Sequence, residues 1–362
     1  MVLRNDEFPL PPAALDAAWK RAHFAGAMNT LTRHHRRQCQ PYRNLLSTLG
    51  FEPSGDADPS ALPFLAAGVF RDTSMVSVPV GDVRRTLTSS GTTGRPLAQV
   101  HLDLTTSARQ MLALDLVVAA FTGHARLPLL ILDAPAALTG ASGIYAGRAA
   151  GIQGFSALGR RPTFALTDAM EPDVEAIERF LESAAGGPFL LYGFTFVIWT
   201  HFYETLAARG LRFDFSQGIL VHGGGWKRLI ERSVSDTEFR RKSLELLSLS
   251  RVHNYYGMVE QAGSIYMQCE AGFFHSSNFS ELFVRRGSDF GLCEPGEPGI
   301  IQTMSLVPTS YPGHNLLTED EGVLVGEDDC SCTRPGRYFL VRGRLREAEL
   351  KGCGDVGAAG HA

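Results

Sequence analysis

The chain has 362 residues, 44% of them hydrophobic and 20% charged, which excludes an intrinsically disordered polymer. A formal net charge of −4 leaves no basic footprint for a nucleic acid, so none is expected as a partner. The length suggests two or three domains.

The N-terminus, Met1 to Glu7, is polar and does not read as a secretory signal. No run reads as long and apolar enough to span a bilayer; the best candidate, Phe189 to Trp199, is short and soon followed by His201 and Glu204. The six cysteines, at 39, 269, 293, 330, 332 and 353, are scattered. That suits reduced thiols in a cytoplasmic protein better than a disulfide framework. The lysines are Lys20, Lys227, Lys242 and Lys351, so any catalytic lysine is one of these.

Residues 13–49 read as mostly helical, with Leu15, Trp19 and Ala22 on one face and a break near Pro41. The basic run Arg33 to Arg37 reads as a solvated helix face. After a loop over 51–62 come two short apolar segments, Phe64 to Phe70 and Met75 to Val80. Next is Thr86-Leu-Thr88-Ser89-Ser90-Gly91-Thr92-Thr93-Gly94-Arg-Pro96. Glycine permits positive φ and close backbone approach, successive N–H groups can form a nest for an anion, and hydroxyls add donors that rotate toward phosphate oxygens. The stretch is therefore a candidate phosphate loop. It lacks the Lys-Ser/Thr of a Walker A loop and the glycine spacing of a dinucleotide fingerprint.

A helix is expected over Thr105 to Phe121 and a buried strand over Leu127 to Leu132. The glycine-rich stretch Gly140 to Gly159 reads as a loop. An amphipathic helix over Val174 to Ser183, a strand over Phe189 to Tyr192 and an apolar helix over Phe194 to Leu206 follow. Gly218 to His222 reads as a strand that runs into Gly223-Gly224-Gly225-Trp226-Lys227. A glycine triplet there lets a flat ligand lie on bare backbone at the carboxyl end of an open α/β sheet. A helix end at Leu244 to Leu249 and a strand over Arg251 to Tyr255 lead into Asn254-Tyr255-Tyr256-Gly257-Met-Val259-Glu260-Gln261. Residues 273–310, with Phe, Val, Ile and Thr between Gly/Pro turns, read as short antiparallel strands. Then come Leu316-Leu-Thr-Glu319-Asp320-Glu-Gly322 and Tyr338-Phe-Leu-Val-Arg-Gly-Arg344.

Four of these stretches, taken in order, resemble the motifs of the adenylate-forming superfamily of acyl-CoA synthetases, luciferases and adenylation domains. Ser90-Gly91-Thr92-Thr93-Gly94-Arg95-Pro96 is similar to its phosphate loop, Tyr256-Gly257 to Glu260 to its Y-G-x-T-E motif, Thr318 to Asp320 to its T-G-D motif, and Gly343-Arg344 to its hinge. The total length, His222 to Lys227, and the ending Glu349-Leu-Lys351-Gly352-Cys353-Gly-Asp355 further resemble the acyl-protein synthetase family, the long-chain-fatty-acid luciferin-component ligases. The chain departs from the superfamily pattern at Leu97, where a lysine is usual, at Val259 in place of threonine and at Glu319 in place of glycine.

The resemblance implies an α/β fold: a layered αβα adenylate-forming core over 1–310, a small β-rich subdomain about 273–310, and a truncated C-terminal lid over 311–362. It implies ATP and Mg²⁺ as cofactors. Thr88, Ser89, Ser90, Gly91, Thr92, Thr93 and Gly94 would meet the phosphates, and Gly223, Gly224, Gly225, Tyr255, Tyr256 and Gly257 the nucleotide. Asp320 would hold the ribose, Arg344 would act at the hinge, and Glu260 would hold Mg²⁺. Lys227 or Lys351 would neutralise the α-phosphate. Cys353 would accept the acyl group from an acyl-adenylate and pass it to a partner reductase or carrier, the substrate being a carboxylic acid, in the resembled family a long-chain fatty acid. Two alternatives are an acyl-CoA ligase and a non-catalytic nucleotide- or acyl-binding module. Cys330-Ser-Cys332 with Cys353 lacks standard zinc-ligand spacing, with only His314 and His361 considered as nearby histidines, and reads as thiols.

Overall fold

Short apolar strands bounded by glycine, proline and capping residues alternate with helices along the chain, and the fold is α/β. The structure, a computed structural model, describes residues 17–53, 57–89, 96–123, 125–139, 146–226 and 233–345. In chain order the helices are α1 (Ala17–Gln38), α2 (Gln40–Thr48), α3 (Val69–Asp72), α4 (Leu104–Thr122), α5 (Ala146–Leu158), α6 (Val174–Ala184), α7 (Thr195–Val197), α8 (Glu204–Arg209) and α9 (Asp236–Leu247). A π-helical turn, Ile198–Tyr203, carries α7 into α8. The strands are β1 (Leu65–Ala66), β2 (Arg85–Thr88), β3 (Gln99–Leu102), β4 (Pro128–Ile131), β5 (Arg160–Phe164), β6 (Phe189–Phe194), β7 (Gly218–Gly223), β8 (Val252–Tyr256), β9 (Tyr266–Gln268), β10 (Phe274–His275), β11 (Ser280–Arg285), β12 (Pro298–Ser305), β13 (Asn315–Glu327) and β14 (Arg337–Arg344).

The chain forms two compact units. One comprises Arg85–Val100 and Gln110–Gly272. Its strands run in the order β9-β8-β7-β6-β4-β5. The pairs from β5 through β8 are parallel and β8–β9 is antiparallel. Every residue of β6 and β7 is buried, as expected for parallel strands covered on both faces. Two of the helices carry side-chain N-caps. Asp173 accepts the Ala176 N–H at 3.0 Å ahead of α6, and Ser235 accepts the Glu238 N–H at 3.1 Å ahead of α9. Ile177 and Phe180 form the buried stripe of α6.

The expectation of a loop across Gly140 to Gly159 is corrected: residues 146–158 are helix α5. Gly151 in the helix and Gly159 just after it permit close packing. A Cβ on Gly151 would sit 2.5 Å from the Tyr192 hydroxyl, and one on Gly159 the same distance from Leu129 Cβ. A buried ion pair also holds the helix. Arg148 Nε donates to Asp133 Oδ2 at 2.6 Å, and its Nη2 contacts Asp133 Oδ1. Removing one partner of such a pair costs about 3–5 kcal/mol, because the other charge stays buried.

The second unit comprises residues up to Arg84, His101–Arg109 and the chain from Phe273 onward. Its strands run β11-β12-β13-β14-β10, all antiparallel, with β1 added in parallel to β13. Between α1 and α2 the helix breaks at Cys39, where Pro41 follows. The basic run on α1 is only partly a solvated face. Arg37 is exposed, but His35 is buried and bonds Ser77 Oγ at 2.8 Å. His314 stacks on His35 with ring centroids 4.8 Å apart. Burial depresses the pKa of His314 to about 3 and that of His35 well below its usual value.

The expectation that no run suits a bilayer needs one amendment. Helix α4, with 19 residues and a mean hydropathy of 1.2, is long and apolar enough to cross a membrane by length and composition alone. Ala113, Leu114, Leu116, Val117 and Val118 are buried, as in a core helix of a globular fold, and the helix carries Arg109 and Asp115.

Candidate active site

Strand β7 leaves the sheet through Gly223, Gly224 and Gly225, and the register sets Gly223 beside Tyr255 of β8. The ring of Tyr255 lies over the Gly223 backbone. A Cβ on Gly223 would be 2.5 Å from Tyr255 Cε1, and one on Gly224 the same distance from Phe194 Cδ1. Gly224 and Gly225 have φ of 81° and 57°, in the region that favours glycine. The triplet is thus a backbone platform between two aromatic rings. Tyr255 is positioned in turn by a hydroxyl–hydroxyl bond to Tyr192 at 3.1 Å. Tyr192 stacks on Phe155 of α5, with centroids 3.9 Å apart. Burial raises the pKa of both tyrosines, which keeps the phenols protonated.

Beneath the platform, Thr195 donates its hydroxyl proton to the Gly223 carbonyl at 3.1 Å and lies 2.9 Å from His222 Nδ1. A hydroxyl has one proton to give, so His222 donates from Nδ1 and its Nε2 is the bare nitrogen. The ring is buried, stacks on Phe239 at 4.3 Å and has a pKa lowered to about 3, first by burial and then by Arg240. It is a neutral strut for the Gly223 carbonyl.

From β8 the chain passes through Tyr256 and Gly257 to the short 3₁₀ turn Val259–Gln261, which carries Glu260. Gly257 has a packing reason of its own, because a Cβ there would meet Ile265 Cγ2 at 2.9 Å. Glu260 is buried. A carboxylate suits Mg²⁺, which takes one or two such ligands together with substrate phosphates and water.

Of the candidate phosphate loop, Thr88 and Ser89 are described; Ser90, Gly91, Thr92, Thr93 and Gly94 lie outside the described residues, as do Lys227, Lys351 and Cys353. The base of the loop is closed by Ser89. Its N–H donates to the Ala98 carbonyl and its Oγ accepts the Ala98 N–H, both at 2.9 Å. The Ser89 oxygen is therefore engaged in the hairpin, and its proton remains available as a donor.

In the other unit, β13 and β14 pair Asp320 directly with Arg344. Arg344 Nε is 3.9 Å from Asp320 Oδ1, and its Nη2 is 3.2 Å from Glu319 Oε2. Two motifs that are distant in the sequence are thus cross-strand neighbours. Glu319, the departure from glycine, is held by a two-pronged bond from Arg71 at 2.5 and 2.7 Å. Arg71 thereby neutralises the extra acid beside Asp320. Gly343, next to Arg344, has φ of 141°, again a backbone that L side chains rarely adopt. Sequence reasoning missed Tyr192, Phe155, Thr195 and Arg71 as supporting groups, because the sheet register and helix packing that recruit them leave no local motif.

The fold is that of the adenylate-forming ligases. The fold is shared with 2-hydroxyisobutyryl-CoA ligase. The structure of that enzyme in the postadenylation state with R3-HIB-AMP superposes with a TM-score of 0.70 at 17% identity, over 95% of this chain and 73% of that one. Its complex with 2-HIB-AMP and CoA in the thioesterification state gives the same score and identity, over 95% and 74%. ATP-bound MatB from Rhodopseudomonas palustris aligns at 15% identity over 74% of this chain and 49% of that one, with a TM-score of 0.47. No curated protein matches the sequence. Residues 12–359 match the family described as Acyl-protein synthetase, LuxE, and the chain belongs to that family. It is an ATP-dependent, AMP-forming acid–thiol ligase.

Proposed function

We propose that this ligase activates a fatty acid as its acyl-adenylate and passes the acyl group to its own Cys353, and from there to a partner protein in the cytoplasm. Family membership over nearly the whole chain supports the adenylation step. The observation that carries the reading is the backbone platform Gly223–Gly225 beneath the Tyr255 ring. The ring covers the buried Gly223, while Gly224 and Gly225 are exposed, so bare backbone beside an aromatic ring is left for a flat base. Asp320, with both carboxylate oxygens as acceptors, takes the ribose hydroxyls. Glu260 holds Mg²⁺, which when bound would offset charge on the phosphates. The phosphate loop contributes N–H groups and the hydroxyls of Thr88 through Thr93.

In the first step the substrate carboxylate attacks the α-phosphorus of ATP. The α–β bridging P–O bond breaks, pyrophosphate leaves, and acyl-AMP forms. Positioning and charge neutralisation carry that step, with Lys227 or Lys351 as the cation. In the second step the Cys353 sulfur attacks the acyl carbonyl and AMP leaves. The thiol loses its proton, and a thioester forms. Lys351, two positions ahead, favours the thiolate.

The test is incubation with ATP, Mg²⁺ and labelled acids of graded length. A hydroxylamine-sensitive label on the protein, abolished in Cys353→Ser while pyrophosphate exchange persists, is the expected result. A label that maps to another cysteine refutes the assignment of Cys353. Acylation of added CoA with no protein label establishes the acyl-CoA ligase instead.

A further inference from the structure

The turn between β13 and β14 presents Cys330 and Cys332, and β10 presents His275 to the same place. His275 is in register with Tyr338 of β14, and the two rings stack with centroids 5.6 Å apart. Cys332 Sγ is 3.4 Å from His275 Nε2. The donor atoms of Cys330, Cys332 and His275 all lie within 4.8 Å of one another. His275 and Cys330 are buried. The turn is closed at its base by Asp328 and Gly336. The Gly336 N–H donates to Asp328 Oδ1 at 2.6 Å, and the Asp328 N–H to the Gly336 carbonyl at 3.1 Å. Within it the Thr333 N–H donates to the Cys330 carbonyl at 2.9 Å, folding the Cys-Ser-Cys segment so that both thiols serve one centre.

The spacing suits one ion. With Zn–S near 2.3 Å and Zn–N near 2.0–2.1 Å, the edges of a tetrahedral site are about 3.6 Å for N···S and about 3.8 Å for S···S. The separation of 3.4 Å between Cys332 and His275 falls close to the first. Two thiolates with one imidazole form a donor set that selects zinc over the hard, oxygen-seeking cations. We propose that His275, Cys330 and Cys332 bind a zinc ion that fastens the β13–β14 turn to β10. The spacing of Cys330 and Cys332 alone does not point to such a site. The histidine that completes the set comes from more than fifty residues earlier and is brought there by sheet register.

The ion is independent of catalysis, so metal content is the readout. Protein purified without chelator should carry about one zinc per chain by elemental analysis. Replacement by Co²⁺ should give the intense visible bands of a tetrahedral thiolate site. Removal with a strong chelator should lower Tm, and added zinc should restore it. Cys330→Ser and Cys332→Ser should each lose zinc, while Cys293→Ser, outside the cluster, keeps it. Cobalt spectroscopy needs no variant, so a variant that fails to fold leaves the test intact. Metal-free protein that takes up neither zinc nor cobalt, or Co²⁺ bound with an octahedral spectrum, overturns the site.

Discussion

Replacing Gly223 with alanine probes the platform with one methyl group. Gly223 is not among the residues of positive φ, so alanine meets no backbone penalty there and the effect is steric. The added Cβ would lie 2.5 Å from Tyr255 Cε1 and 2.7 Å from both Cδ1 and Cζ. Carbon atoms pack at about 3.5–4.0 Å, so the ring must retreat by about 1 Å. It is bonded to the Tyr192 hydroxyl at 3.1 Å and lies near Phe155, with centroids 5.8 Å apart. Overpacking of this kind costs about 1–3 kcal/mol, and breaking the Tyr192 bond adds about 0.5–1.5 kcal/mol. Denaturant unfolding of Gly223→Ala, Tyr255→Ala and the double variant measures the coupling. With the ring gone, the methyl group should be nearly neutral, leaving a coupling energy of about 1–3 kcal/mol. The KM for ATP should rise in Gly223→Ala. If alanine at 223 costs the same with and without the Tyr255 ring, the packing argument for the platform is wrong.

Asp320→Ala should raise the KM for ATP by the loss of two bonds to an ionised acceptor, about 1.5–3 kcal/mol each; an unchanged KM in steady-state assays rejects the ribose role. Glu260→Gln should lose most adenylation while circular dichroism stays native; wild-type exchange rates would remove it from the site. Gly91→Val should impair ATP binding more than Ser90→Ala, because a β-branched residue obstructs the backbone approach; normal binding by titration calorimetry would make the loop structural. His222 and His314 have folded pKa values of about 3 against 6.5 unfolded, so their contribution is complete above 6.5 and is lost as pH falls toward 3. Each should lower stability by about 2 kcal/mol on going from neutral pH to about pH 5, and denaturant midpoints that stay flat over that range contradict the burial of neutral imidazoles.

Strands β6, β7 and β8 were legible because runs such as Phe-Leu-Leu-Tyr and Gly-Ile-Leu-Val are short, apolar and bounded by turn residues. Helix α6 was legible from its amphipathic periodicity. Helix α5 was not, because glycine serves equally as a helix breaker and as a means of close packing, and only the position of Tyr192 separates the two. The site divides in the same way. Gly223 to Gly225 and Asp320 carry their chemistry in local sequence. Arg71 on Glu319, Tyr192 on Tyr255 and His275 on Cys332 depend on register and on contacts over long sequence separations. Arg148 illustrates the limit: nothing in the glycine-rich stretch around it marks it as the partner of the buried Asp133.

The central claim is acid-dependent adenylation, and ATP–pyrophosphate exchange measures it without assuming an acceptor. With Mg²⁺ and a panel of carboxylic acids from short to long chain and from aliphatic to aromatic, labelled pyrophosphate should enter ATP only when an acid is present. Exchange should be fastest with a long-chain fatty acid and should persist in Cys353→Ser. Absence of exchange with every acid, from protein that is folded and binds ATP, would contradict the account and leave a nucleotide-binding module in its place.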